Sequence, residues 1–592
     1  MPESPSDSSL LCAVTLQALM GFGALQEVII CAGARNCALV VAFASAPGIR
    51  VWHHFEERAA AFFALGRILS HGRPVAVITT SGTAVAELFP AIIEAHYQGL
   101  PLVALTADRP AAYRGTGAPQ AIEQAGIFGN YPALSLDVRE LDDLAPLAEW
   151  TRLGPLHVNL CLEEPGPGQL GWLRNYGAGL TPNDGREDDD QENGSKERSL
   201  QDLKTTLSLP AALDRSTGVP PVSFHHPKSP ARQRVIQEAI LTLSLPALLR
   251  PLVLLGDLLP GELPAVTAFL KHLAAPVYAE AASGLRGHPE LRSLLISGGD
   301  TALKSIPHDS VLRLGGVPAC RFWRDLEDRP HVPVLSLTRS GHRGLARESS
   351  AFPLLPEILE SLTASLNNTT VSVPGSATTS SPNHHRPHIP DLQPALDACL
   401  ARHPGSEPAL VRALSDLIPP GAVVFTGNSM PIREWNLCAR PDRPHHARAL
   451  RGANGIDGNL SAFLGLAVDA AEAWCLIGDL TALYDLAAPW ILPQFDCPKL
   501  RIVVIQNAGG KIFSRLPALR GLTETERRLM ENPHQISLKG WAEQWGLSHH
   551  THHGPLTTLP PLPDRLVLEL HPDPEATEAF WRDWSTAARQ IP

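Results

Sequence analysis

The segments Trp474-Cys-Leu-Ile-Gly-Asp-Leu480 and Arg501-Ile-Val-Val-Ile-Gln-Asn-Ala-Gly-Gly510 decide how this chain folds. Each is an apolar, β-rich run that stops abruptly in small and oxygen-bearing residues. In an open parallel sheet, such run-ends gather at the carboxyl edge, where ligands bind. Asp479 and Asn507 stand 28 positions apart (507 − 479), room for one crossover through a helix between parallel strands. A carboxylate, an amide oxygen and nearby backbone carbonyls make a hard-oxygen set suited to Mg2+, which in turn grips a diphosphate. A second Gly-Asp, Gly256-Asp257, also follows an apolar strand, but the position 28 residues on is Leu285 and no asparagine ends a strand there. That copy reads as an ordinary turn.

Outward from these segments the same alternation repeats. Residues 181–232 include Asp184-Gly-Arg-Glu-Asp-Asp-Asp-Gln-Glu-Asn-Gly194 and carry too little apolar surface to order a core, so a disordered acidic linker is expected. Residues 366–390, rich in Ser, Thr, Pro and His, read as a second linker. Its paired His384-His385 has no further metal ligands nearby and reads as solvated. Three blocks remain, 8–180, 233–365 and 391–592. Apolar runs such as Pro74-Val-Ala-Val-Ile-Thr-Thr80, Pro251-Leu-Val-Leu-Leu-Gly256 and Leu566-Val-Leu-Glu-Leu570 read as strands. Ala/Leu-rich stretches such as 59–68 and 83–97 read as helices between them. Strands without polar alternation, separated by helices, imply parallel sheets covered on both faces. The fold class is therefore α/β, with three doubly wound parallel-sheet domains.

Composition narrows the function classes. The 592 residues exceed what one core holds. A net charge of −11 argues against nucleic acid as the main partner. Mean hydropathy of −0.02 and the lack of any apolar run near the ~18–20 residues of a spanning helix argue against a membrane span. The nine cysteines are scattered without a CxxC pair, as expected of reduced thiols. The first residues are polar and acidic rather than signal-like, so a cytoplasmic location is expected.

The motifs are more specific. Gly33-Ala-Arg-Asn, Phe55-Glu-Glu-Arg, Thr80-Ser-Gly-Thr-Ala, Leu105-Thr-Ala-Asp-Arg-Pro and Gly117-Ala-Pro-Gln-Ala-Ile occur in order in the first block. Gly427-Asn-Ser-Met-Pro-Ile-Arg, Arg451-Gly-Ala-Asn-Gly-Ile-Asp-Gly, Leu476-Ile-Gly-Asp-Leu and Gly509-Gly-Lys-Ile-Phe-Ser-Arg-Leu-Pro follow in the last. Together they resemble the 2-succinyl-5-enolpyruvyl-6-hydroxy-3-cyclohexene-1-carboxylate (SEPHCHC) synthase family, thiamine-diphosphate enzymes of menaquinone biosynthesis. The likeness covers the first and third blocks well and the middle one faintly.

That resemblance implies an N-terminal pyrimidine-binding domain, a central α/β domain and a C-terminal diphosphate-binding domain. It implies thiamine diphosphate with Mg2+ (or Mn2+), the substrates 2-oxoglutarate and isochorismate, and a homodimer or dimer of dimers with sites shared between chains. Asp479, Asn507 and Gly509 match the metal-binding positions. Glu57 matches the catalytic carboxylate that activates the aminopyrimidine, although a glutamate at a helix start is ordinarily a cap. Thr80, Gly82, Ser429, Met430 and Gly478 match cofactor contacts, and Ile456 matches the apolar wedge beneath the cofactor. Two polyanionic substrates need fixed guanidinium groups, whose planar fork suits carboxylates. Arg35, Arg109, Arg433 and Arg451 fall at matching positions, with Gln120 and Ser429 as neutral donors and Arg321 in place of a lysine from the middle domain. The chain departs from the family pattern at Ala34, where a serine is usual, and on both sides of Asn507, at Gln506 and Ala508. The alternatives are an acetohydroxyacid-synthase-like or 2-oxoacid decarboxylase enzyme, which needs fewer arginines, and a non-catalytic thiamine-binding homologue, which need not keep Glu57 and Asp479.

Overall fold

The computed structural model of the protein describes residues 6–21, 24–180, 250–368, 389–516, 519, 521–558 and 561–589. The stretch expected as the acidic linker and the His384-His385 pair lie outside the described residues. The second linker begins later than expected, because a helix runs over Pro356–Asn368.

Three sheets organise the described chain, and every strand pairing in them is parallel. The first runs in spatial order Arg50–His53, Glu27–Ile30, Val75–Thr79, Leu102–Asp108, Leu156–Cys161, Leu134–Val138. The last repeats that order with His446–Arg448, Val423–Thr426, Glu472–Gly478, Lys499–Ile505, Arg565–His571, Ser548–His553. The middle sheet has Val277–Ala279, Pro251–Leu255, Ser310–Leu314, Val334–Thr338 and Ser350–Pro353. In each sheet the chain starts near the centre, steps to one edge, and returns past its starting strand. The reversal opens a switch point between the first and third strands.

Side-chain alternation shows why both faces must be covered. Along Pro251–Leu255, Leu252 and Leu254 join one core with Phe322 and Trp323, whereas Val253 and Leu255 join another with Phe269 and Leu270. A strand buried on both faces needs apolar residues at every position, which is how the sequence reads there.

The described chain forms two compact units divided near residue 234, the second also taking in residues 69–72. The first unit carries the first sheet. The second carries the middle and last sheets together, although the sequence reads as separate blocks there. Arg286 ties them by donating to the carbonyls of Asn436, Ala439 and Arg440. A shared apolar core joins Phe322 and Trp323 to Leu396, Phe580 and Trp584.

The helix Glu57–His71 is anchored from beneath. Arg67 meets Glu27 in a buried two-pronged ion pair, with both N···O distances 2.8 Å, and Trp52 donates to the same carboxylate at 3.2 Å. Replacing Arg67 by Leu leaves that carboxylate buried without its cation. The expected cost is about 3–5 kcal/mol of stability, measured by denaturant unfolding. A loss below about 1 kcal/mol would show that the helix is held by packing alone.

Candidate active site

At the switch point of the last sheet, Val423–Thr426 runs into Gly427-Asn-Ser-Met430, and the adjacent Glu472–Gly478 runs into Asp479. The neighbouring strand Lys499–Ile505 ends level with it, Gly478 pairing with Ile505. Asp479 is only 2% exposed. Its Oδ1 accepts the Leu480 N–H at 2.7 Å and its Oδ2 accepts the Gly509 N–H at 3.0 Å. His534 Nε2 lies 3.4 Å from Oδ2 without hydrogen-bonding it, while its Nδ1 accepts the Ile536 N–H. Burial pushes the Asp479 carboxyl up, and these amides and His534 oppose the push. Position 509 must be glycine: its φ is +132°, and a Cβ would sit 2.5 Å from the Glu531 carbonyl oxygen.

Asn507 stands on the same loop. Its Nδ2 donates to Glu407 Oε2 at 3.0 Å, and its Oδ1 is shut off from solvent with no partner among the described residues. Glu434 lies beside Glu407; burial raises both carboxyls, and Glu407's own proximity pushes Glu434 up further. Toward Asn507, Glu407 Oε2 is the acceptor. A buried carboxylate next to a buried amide oxygen with nothing to receive is a donor set that suits a hard dication, so these residues fit Mg2+.

The two loops around this point are laced by asparagines. Asn428 donates to the Gly455 carbonyl at 2.7 Å, and Asn459 donates to the Gly455 and Asp457 carbonyls, both at 3.0 Å. Ile456 is thereby fixed between them, half-buried. Ser429 takes a positive φ of 71° at the start of the helix Met430–Cys438, where its carbonyl receives Arg433 Nη1 at 2.5 Å. Arg451 is 6% exposed; Nη1 donates to Asn428 Oδ1 at 2.7 Å, and Nε finds no partner among the described residues. Glu280 lies in the field of both arginines. Burial pushes it up to about 7, against the pull of Arg451, the Ala319 and Cys320 amides, and Arg433. Through Glu280, which accepts the Ala319 N–H at 2.6 Å, the turn bearing Arg321 is tied to the same region. Arg321 itself is 67% exposed and pairs with Asp325 at 2.7 Å.

In the first unit, Glu56 and Glu57 divide their work. Glu56 caps the helix, accepting the Arg58 and Ala59 N–H groups at 3.1 Å each. Glu57 bonds to no other side chain among the described residues. Its carboxyl is raised by burial, opposed by its own backbone N–H, and raised again by Glu56 and Glu87. The ordinary capping role thus belongs to Glu56. At the end of Val75–Thr79, the hydroxyls of Thr79, Thr80 and Ser81 are buried without partners among the described residues. Gly82 follows with φ +92°, its N–H held by Gln124 Oε1 at 2.8 Å. Three orphaned hydroxyls at a switch point fit a polar ligand.

The remaining expected substrate residues are turned elsewhere within the unit. Arg35 is buried and donates to the Leu162 carbonyl and to Glu164, both at 3.1 Å. Arg109 donates to the Pro119 carbonyl at 3.0 Å and lies over Tyr113. Gln120 is exposed with φ +56°. A cluster with metal-like spacing, Asp108, Asp137 and Cys161, is already served by Arg114, 2.9 and 2.7 Å from the two carboxylates. It is an internal ion pair and needs no cation.

Comparison with known proteins fixes the family. Residues 19–127 match the family model described as thiamine pyrophosphate enzyme, N-terminal TPP binding domain. The chain is 41% identical to the SEPHCHC synthase of Akkermansia muciniphila over 94% of its length and 95% of that protein. It is 37% identical to that of Bdellovibrio bacteriovorus over 97% and 98%. The chain belongs to the SEPHCHC synthase family. It is thus a thiamine-diphosphate-dependent transferase of menaquinone biosynthesis. A solved structure described as a thiamin diphosphate-dependent enzyme from Mycobacterium smegmatis shares the fold, with a TM-score of 0.60 at 16% identity over 95% of this chain and 99% of that one. The three-sheet α/β architecture is that of thiamine-diphosphate enzymes.

Sequence reading did not single out Glu407, Glu434, His534, Glu280 or Asn428. Asn428 lies inside a quoted motif; the others lie in segments with no motif to mark them. Replacing Asp479 by Ala is expected to abolish Mg2+-dependent binding of thiamine diphosphate in calorimetric titration, with circular dichroism unchanged. Wild-type affinity in that variant would remove Asp479 from the metal site.

Proposed function

We propose that this enzyme decarboxylates 2-oxoglutarate and joins the remaining four-carbon unit to isochorismate, giving SEPHCHC. The observation that carries this reading is Arg451, a buried guanidinium held on one side by Asn428 and unpartnered at Nε among the described residues, with Arg433 on the helix Met430–Cys438 that follows Asn428. A dry, half-satisfied guanidinium calls for an anion, and two arginines together suit a dicarboxylate better than a monocarboxylate.

In this reading Asp479, Asn507 and the Gly509 carbonyl hold Mg2+ or Mn2+ against the cofactor diphosphate. Ser429, Met430 and Gly478 line the cofactor, and Ile456 supports it from below. Thr80 and Gly82 would line its other end, where Glu57 would hold a proton shared with a ring nitrogen. Bound thiamine diphosphate supplies the electron sink for loss of CO2. Arg433 and Arg451 clamp substrate carboxylates, with Ser429 as a neutral donor. Arg35, Arg109 and Arg321 would join them after exchanging their present partners, together with the exposed Gln120. Glu164 is exposed, so freeing Arg35 breaks a pair that water already screens.

Replacing Arg451 by Ala should lower kcat/KM by roughly ten- to a hundredfold while leaving cofactor affinity intact. Pyruvate, which lacks the distal carboxylate, should be a poor donor for the wild type. Equal use of pyruvate and 2-oxoglutarate, or no consumption of isochorismate, would replace this reading with an acetohydroxyacid-synthase-like one.

A homodimer with sites built from both chains, in the cytoplasm, completes the proposal. The shared site is what the family resemblance implies, with Glu57 in the first sequence block and the metal residues in the third. No helix among the described residues is long and apolar enough to cross a membrane. Mixing the inactive variants Glu57→Gln and Asp479→Ala should restore part of the activity, since some hybrid sites carry both intact residues. No recovery after verified subunit exchange would count against shared sites.

A further inference from the structure

We propose that Glu407 is a positioning residue that orients the Asn507 amide, so that an oxygen rather than an NH2 group faces the cation beside Asp479. This rests on the metal reading of Asp479 and Asn507 given above.

An asparagine amide has two ends of nearly equal shape and opposite chemistry. Mg2+ takes only the oxygen. Nothing in the covalent structure of Asn507 selects which end turns inward, so a neighbour must. Glu407 is that neighbour. Its Oε2 lies 3.0 Å from Asn507 Nδ2, across 100 residues of sequence. A carboxylate accepts but does not donate, so it binds the NH2 end and repels the oxygen end. With the NH2 group held there, Oδ1 points into the dry space where no described group meets it.

Glu407 is itself rigidly placed. It is the first residue of the helix Glu407–Leu417, where the helix dipole favours a negative charge. Its N–H donates to Thr577 Oγ1 at 3.0 Å, and the preceding Ser406 hydroxyl caps the helix by accepting the Ala409 N–H. The residues flanking Asn507 give the amide no help. Gln506 spends its NH2 on the Ile536 carbonyl at 2.8 Å, and Ala508 has no polar side chain. The orienting task therefore falls on a single distant carboxylate.

The test is calorimetric titration of Mg2+ into the full chain at saturating thiamine diphosphate, with folding followed by circular dichroism. Glu407→Gln should weaken Mg2+ by about ten- to a hundredfold, because Gln meets either end of the amide equally well. The exchanged pair, Glu407→Gln with Asn507→Asp, should recover most of that loss: the amide introduced on the helix donates to one oxygen of the carboxylate introduced on the loop, and the other oxygen faces the cation. Wild-type affinity in Glu407→Gln overturns the proposal. So does an equal loss in the single and exchanged variants, which is what a merely structural role would give. Asn507→Ala separates the two layers of the argument. If it binds Mg2+ like the wild type, the metal reading itself fails; if it loses Mg2+ while Glu407→Gln does not, only the orienting role fails. Should Glu407→Gln not fold, the exchanged pair, which keeps the charge count and the hydrogen bond, decides alone: tight Mg2+ supports the proposal and weak Mg2+ overturns it.

Discussion

A carboxylate taken out of water must be compensated, and Asp479 is compensated by the protein only in part. Two backbone amides donate to its oxygens and His534 lies nearby, yet burial still holds its carboxyl above the ordinary range. The shortfall is the free energy that a dication can recover on binding. Much of the C-terminal domain follows from arranging this. The Gly509 amide must come within 3.0 Å, which requires the left-handed backbone that only glycine adopts there without colliding with the Glu531 carbonyl. Once that loop is closed onto Asp479, Asn507 is carried to the neighbouring position. Glu407 then has only to set which way its amide points.

The same winding pattern is used three times with different outcomes. In the first and last sheets the switch point holds buried groups that lack partners among the described residues: hydroxyls at 79–81, and the amide oxygen of Asn507. In the middle sheet that crevice is shut. A Cβ at Gly256 would sit 2.1 Å from the Gly316 carbonyl oxygen, and Asp257 is buried in an ion pair with Arg339. Arg339 also holds Glu262 at 2.5 Å. Topology offers a ligand crevice at each sheet, and local packing decides whether it stays open. The Gly-Asp at 256–257 is therefore closed over by packing, while the Gly-Asp at 478–479 is where we propose the cation, even though both follow an apolar strand.

The arginines divide along the same line. Arg67, Arg286 and Arg339 are paired with carboxylates or carbonyls and serve as internal braces. Arg451 keeps an unmet donor in a dry setting, where a charge-assisted hydrogen bond gains most from a new anionic partner. Glu280 occupies the intermediate position. It lies close enough to Arg451 and Arg433 to temper their combined charge, yet burial brings its own ionisation near neutrality.

The sequence alone determined the central strands, their parallel pairing and the loops that follow them, because each depends on short-range pattern. A strand buried on both faces must be apolar throughout, and the turn that ends it must be small or polar. The strands that sequence reading passed over are Arg50–His53, Leu134–Val138, Ser350–Pro353, His446–Arg448 and Ser548–His553. All five are edge strands. With one side open they need no continuous apolar run, so they carry histidines, serines and arginines and read as loops. The site divides in the same way. Glu57, Asp479, Asn507 and Arg451 are marked by the motifs around them. Their partners were decided only in the tertiary structure: Glu407 reaches Asn507 across 100 residues, and Asn428 and Glu280 reach Arg451 from other segments. The candidate residues are written in their own loops. The hydrogen bonds that aim them depend on which segments the packed sheets bring together, and no local pattern records that.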